Sequence, residues 1–130
     1  MKIEQSAWNY INVSVELEKK GLVWHPEIGD EVSDRNHLDK VCIFVDPQGL
    51  TPKILRETFV WLPTVEQLVE QFEARQVLIY HAGINERLVY EAIVKTSEGV
   101  IETSAETLRL AFGKALSEVL ENSGVIETLH

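Results

Sequence analysis

The chain has 130 residues, 45% of them hydrophobic, with a net charge of −9 from 12 basic and 21 acidic side chains. This length predicts one globular domain over residues 1–130, and the single cysteine excludes an internal disulfide or a multi-cysteine zinc site. The negative charge disfavours nucleic acid as a partner, and since the sequence shows neither a signal peptide nor an apolar run of about 20 residues, we expect a cytoplasmic protein without a membrane span.

Residues 5–20 fit both a strand and a helix. Apolar and polar residues alternate over residues 11–17, as in a strand, but apolar residues also recur at helical spacing. The end of the segment decides between them. Lys19 and Lys20 suit the last turn of a helix, and Gly21 follows at the position of a left-handed cap. The segment is therefore predicted to be a helix.

The next forty residues contain two polar, turn-rich segments. Residues 24–39 are polar and include a proline and a glycine, so we expect a solvated loop with a turn. The β-branched and aromatic residues 41–45 predict a strand. Residues 46–49, Asp-Pro-Gln-Gly, are typical of a turn in which the proline fixes one dihedral and the glycine supplies the positive one. A short turn and a strand through residues 58–60 are expected to follow.

Two helix starts show the spacing of a capping box. In each, a threonine stands three residues before a glutamine or glutamate and just ahead of an apolar periodic run; the two threonines are Thr64 and Thr103. They predict helices over residues 65–75 and 104–121. The closing helix, which is expected to end at an Asn-Ser-Gly sequence, gives the strongest periodic signal in the chain.

Short strand patterns lie between these two helices. Strands are predicted at residues 77–80, 87–95 and 100–101, separated by a loop at 81–85 and a turn at 97–99. Together the elements predict an α+β fold, with an antiparallel sheet of three to four strands packed with helices as a small α/β sandwich.

Histidines and acids suggest a metal or catalytic site that the spacing does not support. Two histidines and five acids occur over residues 25–39, yet the spacing of the histidines fits no ligand motif, and a solvated loop explains the cluster. Cys42 lies in a predicted strand and is expected to be a buried structural thiol. A small enzyme using His25, His37, Cys42 and His81 is an alternative. We expect no catalytic residue, metal or cofactor.

Two features predict an interface. Trp24 is the candidate for an exposed anchor, because tryptophan is enriched at binding hot spots. The strand predicted at residues 87–95 is apolar on both faces, and Val89 and Ile93 lie on the face that three modest helices would leave open. This pattern predicts a homodimer; in the alternative monomer, the first helix covers that face.

The order of these segments resembles small uncharacterised proteins encoded by bacteriophages and prophages. The resemblance rests on the tryptophan segment Gly21–Asp30, the Trp-Leu-Pro-Thr helix start at residues 61–64, and the Ala-Leu stripe of residues 111–116. It covers residues 8–121. It implies a small α/β sandwich domain and brings no catalytic residues with it.

The functional expectation is a non-catalytic accessory or interaction protein of phage or prophage origin, which binds a protein partner or a second copy of itself. The main alternative is an acidic inhibitor that mimics nucleic acid and occupies a basic site on a host protein. That alternative requires the acidic residues to cluster on one face.

Overall fold

The computed structural model describes the backbone of residues 4–128 and the side chains of residues 4–122. The chain divides into two compact units, Met1–Pro63 and Thr64–His130. The first contains, in chain order, α1 (Gln5–Lys19), β1 (Glu31–Asp34), β2 (His37–Ile43), α2 (Pro52–Thr58) and β3 (Phe59–Trp61). The second contains α3 (Val65–Ala74), β4 (Leu78–Ile84), β5 (Tyr90–Thr96), β6 (Gly99–Ala105) and α4 (Leu108–Thr128).

Both units combine helices with antiparallel strands, which confirms the α+β class. The strands form two three-stranded sheets, in the orders β2-β1-β3 and β4-β5-β6, where the sequence predicted one sheet. The expectation of a single domain over residues 1–130 stays a prediction. Across the described residues, no helix has the length and apolar character needed to cross a membrane.

Helix α1 ends as its sequence predicts. Gly21 adopts a φ of 106°, a left-handed conformation that glycine reaches without a Cβ penalty. Its N–H donates to the carbonyl of Glu18 at 3.1 Å, and the N–H of Leu22 donates to the carbonyl of Leu17 at 3.0 Å. These two bonds form a Schellman motif, which satisfies carbonyls that the helix end would otherwise leave without partners.

The polar segment after α1 is not the loop that its composition suggests. Residues 31–34 form β1, the central strand of the first sheet, and residues 37–40 form the start of β2. In β1, Val32 and Ser33 are fully buried, and Val32 lies opposite both Cys42 and Trp61. The loop expected over residues 24–39 was wrong for residues 31–34 and 37–39, because pairing with distant strands overrides local polarity.

A second helix was missed between β2 and β3. The predicted turn at residues 46–49 is present, but Gln48 and Gly49 both have positive φ, and Pro47 precedes them as the hydrogen-bond acceptor for Leu50. Thr51 then caps α2 by accepting the N–H of Ile54 at 3.3 Å, with a proline at the first helical position. With only seven residues, α2 is too short to show a periodic signal.

Helix α3 begins with the predicted capping box. The Thr64 hydroxyl accepts the N–H of Gln67 at 3.1 Å, and the Gln67 side chain accepts the N–H of Thr64 at 2.9 Å. Two donors that the helix start leaves free are thereby satisfied. Leu68 and Phe72 form its fully buried face.

The hairpin between β4 and β5 is shifted from the prediction. Strand β4 continues through His81 to Ile84, so the loop expected at residues 81–85 is wrong, and β5 begins at Tyr90 instead of Arg87. The turn forms around Asn85, whose side-chain oxygen accepts the backbone N–H of both Arg87 and Val89. An Asn side chain can organise a turn in this way, and because Asn85 does so, the turn follows Ile84 instead of beginning at His81.

The last helix begins four residues later than predicted. Residues 99–105 all belong to β6, so Thr103 is not a cap, and its hydroxyl donates instead to the carbonyl of Ala111 at 2.7 Å. Thr107 takes the capping role by accepting the N–H of Leu110 at 3.1 Å. The helix runs to Thr128, past the predicted end. Its buried residues are Leu110, Ala111, Phe112, Ala115, Leu116, Val119 and Leu120.

Candidate functional site

The residues of the enzymatic alternative lie on exposed surfaces. His25, His37 and Cys42 are exposed in the first unit, and His81 is exposed in the second. Cys42 was expected to be buried; this was wrong because β2 is an edge strand whose side chains are largely exposed. Within the described ranges, no group of three or more His, Cys, Asp or Glu side chains is arranged to hold a metal ion. The enzymatic alternative stays a prediction.

Trp24 is buried, with 4% of its surface exposed, so the expectation of an exposed ring is corrected. It packs edge-on against Phe44, with ring centroids 5.6 Å apart, and against Phe59 at 6.5 Å. Its indole Nε1 donates to Asp30 Oδ2 at 2.8 Å. Asp30 lies in the segment that the sequence predicted to be a solvated loop. It is nevertheless only 5% exposed, because its carboxylate is bonded to the buried Trp24 ring.

The second sheet is buried on one face at the centre of β5, and its other face is largely exposed. Ala92 and Val94 are fully buried, while the opposite face carries Ile93 at the centre of β5. Antiparallel neighbours share a face, so residues paired with Ile93 and Lys95 lie on the same side. We define the outer face by the side chains Leu78, Tyr80, His81, Glu91, Ile93, Lys95, Val100 and Glu102.

The outer face is apolar in part and mixed in charge. Leu78, Tyr80 and Val100 are 61%, 63% and 58% exposed, and Ile93 is half-buried. The Lys95 ammonium lies 4.0 Å from the centre of the Tyr80 ring. Val89 precedes β5 and is also half-buried, with its backbone held by Asn85. The interface expected at Val89 and Ile93 stays a prediction, as does the homodimer.

The first unit contains a pocket of about 290 Å³, which we call the N-terminal pocket. It is formed by α1, the segment that follows it, α2 and β3. Its lining residues are Ser14, Glu18, Gly21, Leu22, Val23, Trp24, Arg56, Phe59 and Trp61. No sequence motif links these residues, which come from two separate parts of the chain, residues 14–24 and 56–61.

Two residues of the N-terminal pocket carry buried polar atoms that have no hydrogen-bond partner among the residues that the structure describes. These are the Ser14 hydroxyl and the Trp61 indole Nε1, and Ser14 as a whole is 2% exposed. Most buried polar atoms in proteins have a partner, so two such atoms in the lining of one pocket are unusual.

Charged side chains border the same pocket. Arg56 Nε donates to the carbonyl of Trp24 at 2.6 Å. Glu18 Oε2 accepts from Arg35 Nη2 at 2.9 Å, and this guanidinium also donates to the carbonyl oxygens of Arg56 and Phe59. Two guanidinium groups and one carboxylate are thus fixed around the aromatic walls.

A smaller pocket of about 170 Å³ lies in the second unit, between the end of α3, the β5–β6 turn and α4. Arg75 lines it and donates through Nη1 to the carbonyl of Gln71 at 3.2 Å. Burial lowers the pKa of the Arg75 guanidinium. The hydrogen bond to the Gln71 carbonyl places the guanidinium at the end of α3, which is a structural role.

Acidic residues occur on all four helices and on β1, β2, β5 and β6. No single element carries them, so this distribution adds no support for an inhibitor that mimics nucleic acid. That alternative stays a prediction.

Neither protein-family models, nor curated proteins, nor solved structures give a match to this chain. The outer face and the N-terminal pocket are the candidate binding sites on the described residues.

Proposed function

We propose that this protein is a small, non-catalytic accessory protein that acts by binding, and that a second copy of itself covers the outer face. The observation that carries the proposal is the contrast between the two faces of the second sheet. Ala92 and Val94 are fully buried on one face, while Leu78, Tyr80 and Val100 are more than half exposed on the other. Exposed apolar patches of this kind commonly mark interaction sites.

The outer face carries charges of both signs, so it is electrostatically complementary to a second copy of the same face. Lys95 and His81 are its basic side chains, and Glu91 and Glu102 are its acidic ones. His81 Nε2 lies 3.5 Å from Glu91 Oε1, so one basic and one acidic group already meet within the chain. In a two-fold interface the same surface of both copies is used, so a residue of one copy contacts a different residue of the other, and the reverse contact occurs as well. A surface that carries both positive and negative charges can therefore pair opposite charges with a second copy of itself.

The size of the face predicts a weak association. Three strands of seven residues each cover a flat area of roughly 300 Å², from strand spacings of about 4.8 Å and rises of about 3.3 Å per residue. A standard interface buries about 800 Å² on each partner. We therefore expect a dimer that forms with rising concentration instead of a permanent one.

A matched pair of substitutions tests the use of this face. Leu78→Lys places a charge on the proposed interface, at the start of the edge strand β4, whereas Ile28→Lys changes a comparably exposed residue, 73% against 61%, in the first unit. Sedimentation equilibrium is expected to show weaker association for Leu78→Lys and unchanged association for Ile28→Lys. Equal association of the two variants would contradict the proposal, and circular dichroism checks that both are folded.

The phage or prophage origin is part of the same proposal and is supported by the resemblance of the sequence alone. Phage genes on both sides of the coding gene are the expected observation. Housekeeping genes on both sides would count against that origin without bearing on the outer face.

A further inference from the structure

We propose that protonation of His81 strengthens self-association through the outer face, so that the dimer forms preferentially at mildly acidic pH. The inference rests on the proposed function, because it concerns the regulation of that same interface. It is carried by the position of His81 on the outer face, by its contact with Glu91 and by the balance of charge on that face.

His81 lies beside an acidic side chain of the neighbouring strand. Its Nε2 is 3.5 Å from Glu91 Oε1, and the two side chains are 44% and 32% exposed. The other carboxylate oxygen of Glu91 accepts from Asn85 Nδ2 at 3.4 Å, which holds the carboxylate near the turn. Protonated His81 therefore forms an ion pair with Glu91, whereas the neutral ring leaves the charge of that carboxylate uncompensated.

The groups that face His81 belong to the three strands of the second sheet. The charged and titratable side chains that share the outer face with it are Tyr80, Glu91, Lys95 and Glu102. Helix α4, which packs on α3 through Phe112 and Phe72, lies against the opposite face, where the Thr103 hydroxyl donates to its backbone. Lys114 of α4 bonds the Ser104 carbonyl on β6, at the edge of the sheet away from β4.

The net charge of the outer face depends on the protonation of His81. With a neutral histidine, one lysine stands against two glutamates and the face carries −1, and a protonated histidine brings it to zero. A two-fold interface places like faces together, so two faces of −1 repel each other and two neutral faces do not. The dimer thus binds more protons than two separate copies. Association therefore strengthens as the pH falls through the range in which histidine titrates, about pH 8 to 5, and weakens as it rises.

The size of the effect follows from the spacing of packed sheets. Two unit charges about 10 Å apart, in a surface environment with a dielectric constant of about 20, change an association constant roughly tenfold. Salt at about 0.15 M screens exposed charges beyond about 8 Å, so the effect is largest at low ionic strength. We therefore expect the dissociation constant in low salt to be about tenfold lower at about pH 5.5 than at about pH 8.

Sedimentation equilibrium in low salt, at about pH 8 and about pH 5.5, measures this difference. His81→Gln is expected to remove the response to pH and to associate as the unmodified chain does at the higher pH. The matched controls are His25→Gln and His37→Gln, which change exposed histidines of the first unit and should retain the full response. Circular dichroism at both pH values checks that each variant is folded.

Glu102→Gln separates the balance of charge from a merely structural role of the histidine. It leaves the contact between His81 and Glu91 intact, but the face then carries zero with a neutral histidine and +1 with a protonated one. Association of this variant is therefore expected to weaken on acidification, which is the reverse of the direction expected for the unmodified chain.

Three outcomes would overturn the inference while leaving the outer-face dimer in place. They are association of the unmodified chain with equal strength at both pH values, a full pH response in His81→Gln, and stronger association of Glu102→Gln on acidification. A mass of one chain at both pH values, up to millimolar concentration, would instead contradict the proposed self-association, and this inference with it.

Discussion

Trp24 and Asp30 close a buried turn through a hydrogen bond of 2.8 Å between the indole Nε1 and Oδ2 of the carboxylate. The same oxygen accepts the backbone N–H of Glu27 at 2.9 Å, and both side chains are at most 5% exposed. The carboxylate satisfies a ring donor and a backbone donor together. This bond fixes the segment between α1 and β1, and with it one wall of the N-terminal pocket.

Removing the Asp30 carboxylate is therefore expected to destabilise the protein. Asp30→Ala leaves the buried Trp24 N–H without its acceptor and should lower the free energy of unfolding by about 1–3 kcal/mol. Asp30→Asn keeps one acceptor oxygen and should cost less. Asp46→Ala is the control, because Asp46 makes a similar bond to the Gln48 N–H on an exposed turn. Urea denaturation giving equal losses for Asp30→Ala and Asp46→Ala would contradict this role.

The core of the second unit depends on Phe112. It is 2% exposed and packs against Phe72, with ring centroids 5.8 Å apart. Phe112→Ala is expected to lower the free energy of unfolding by about 3–5 kcal/mol, the range for a buried phenylalanine. Chemical denaturation showing a loss below about 1 kcal/mol would place Phe112 outside the core.

The two threonine caps give a paired prediction about helix starts. Thr64→Ala and Thr107→Ala each remove a side-chain acceptor for a backbone N–H, and each should cost roughly 0.5–2 kcal/mol. Thr64→Gly should cost less than Thr64→Ala, because glycine is a tolerated cap. Thermal denaturation checks both. A neutral Thr107→Ala would mean that α4 begins at another residue.

The exposed histidines are expected to bind no resident metal. His25 and His37 are each exposed, and the described side chains bring no third ligand to either of them. Elemental analysis of the purified protein should find no stoichiometric zinc, manganese or iron. Near-stoichiometric metal that is lost in the His25→Ala/His37→Ala double variant would overturn this expectation.

Local sequence patterns predict the structure correctly where neighbouring residues determine it. The Gly21 cap and the Thr64–Gln67 box act within one helix turn, so spacing alone identifies them. Thr103 has the same spacing but lies in a strand, where it is paired with Ala92 on β5. The strand conformation of Thr103 depends on pairing with Ala92, eleven residues earlier in the chain, and no local sequence pattern indicates that pairing.

The N-terminal pocket was beyond reach of the sequence for the same reason. Ser14 and Trp61 lie 47 residues apart, and α2, which supplies Arg56, was not predicted at all. The tryptophans gave a partial signal, because their large rings were recognised as core or interface residues. Their unpartnered and bonded N–H groups, which distinguish Trp61 from Trp24, become visible only when the fold brings partners together.

The most direct test of the proposed function is the molar mass of the protein in solution across a concentration series. Static light scattering of the unmodified chain should give a mass that rises from 14.8 kDa towards twice that value as the concentration reaches the millimolar range. The rise is expected because the outer face supports a weak two-fold association. A mass of 14.8 kDa at every concentration would contradict the account and leave the outer face without its proposed partner.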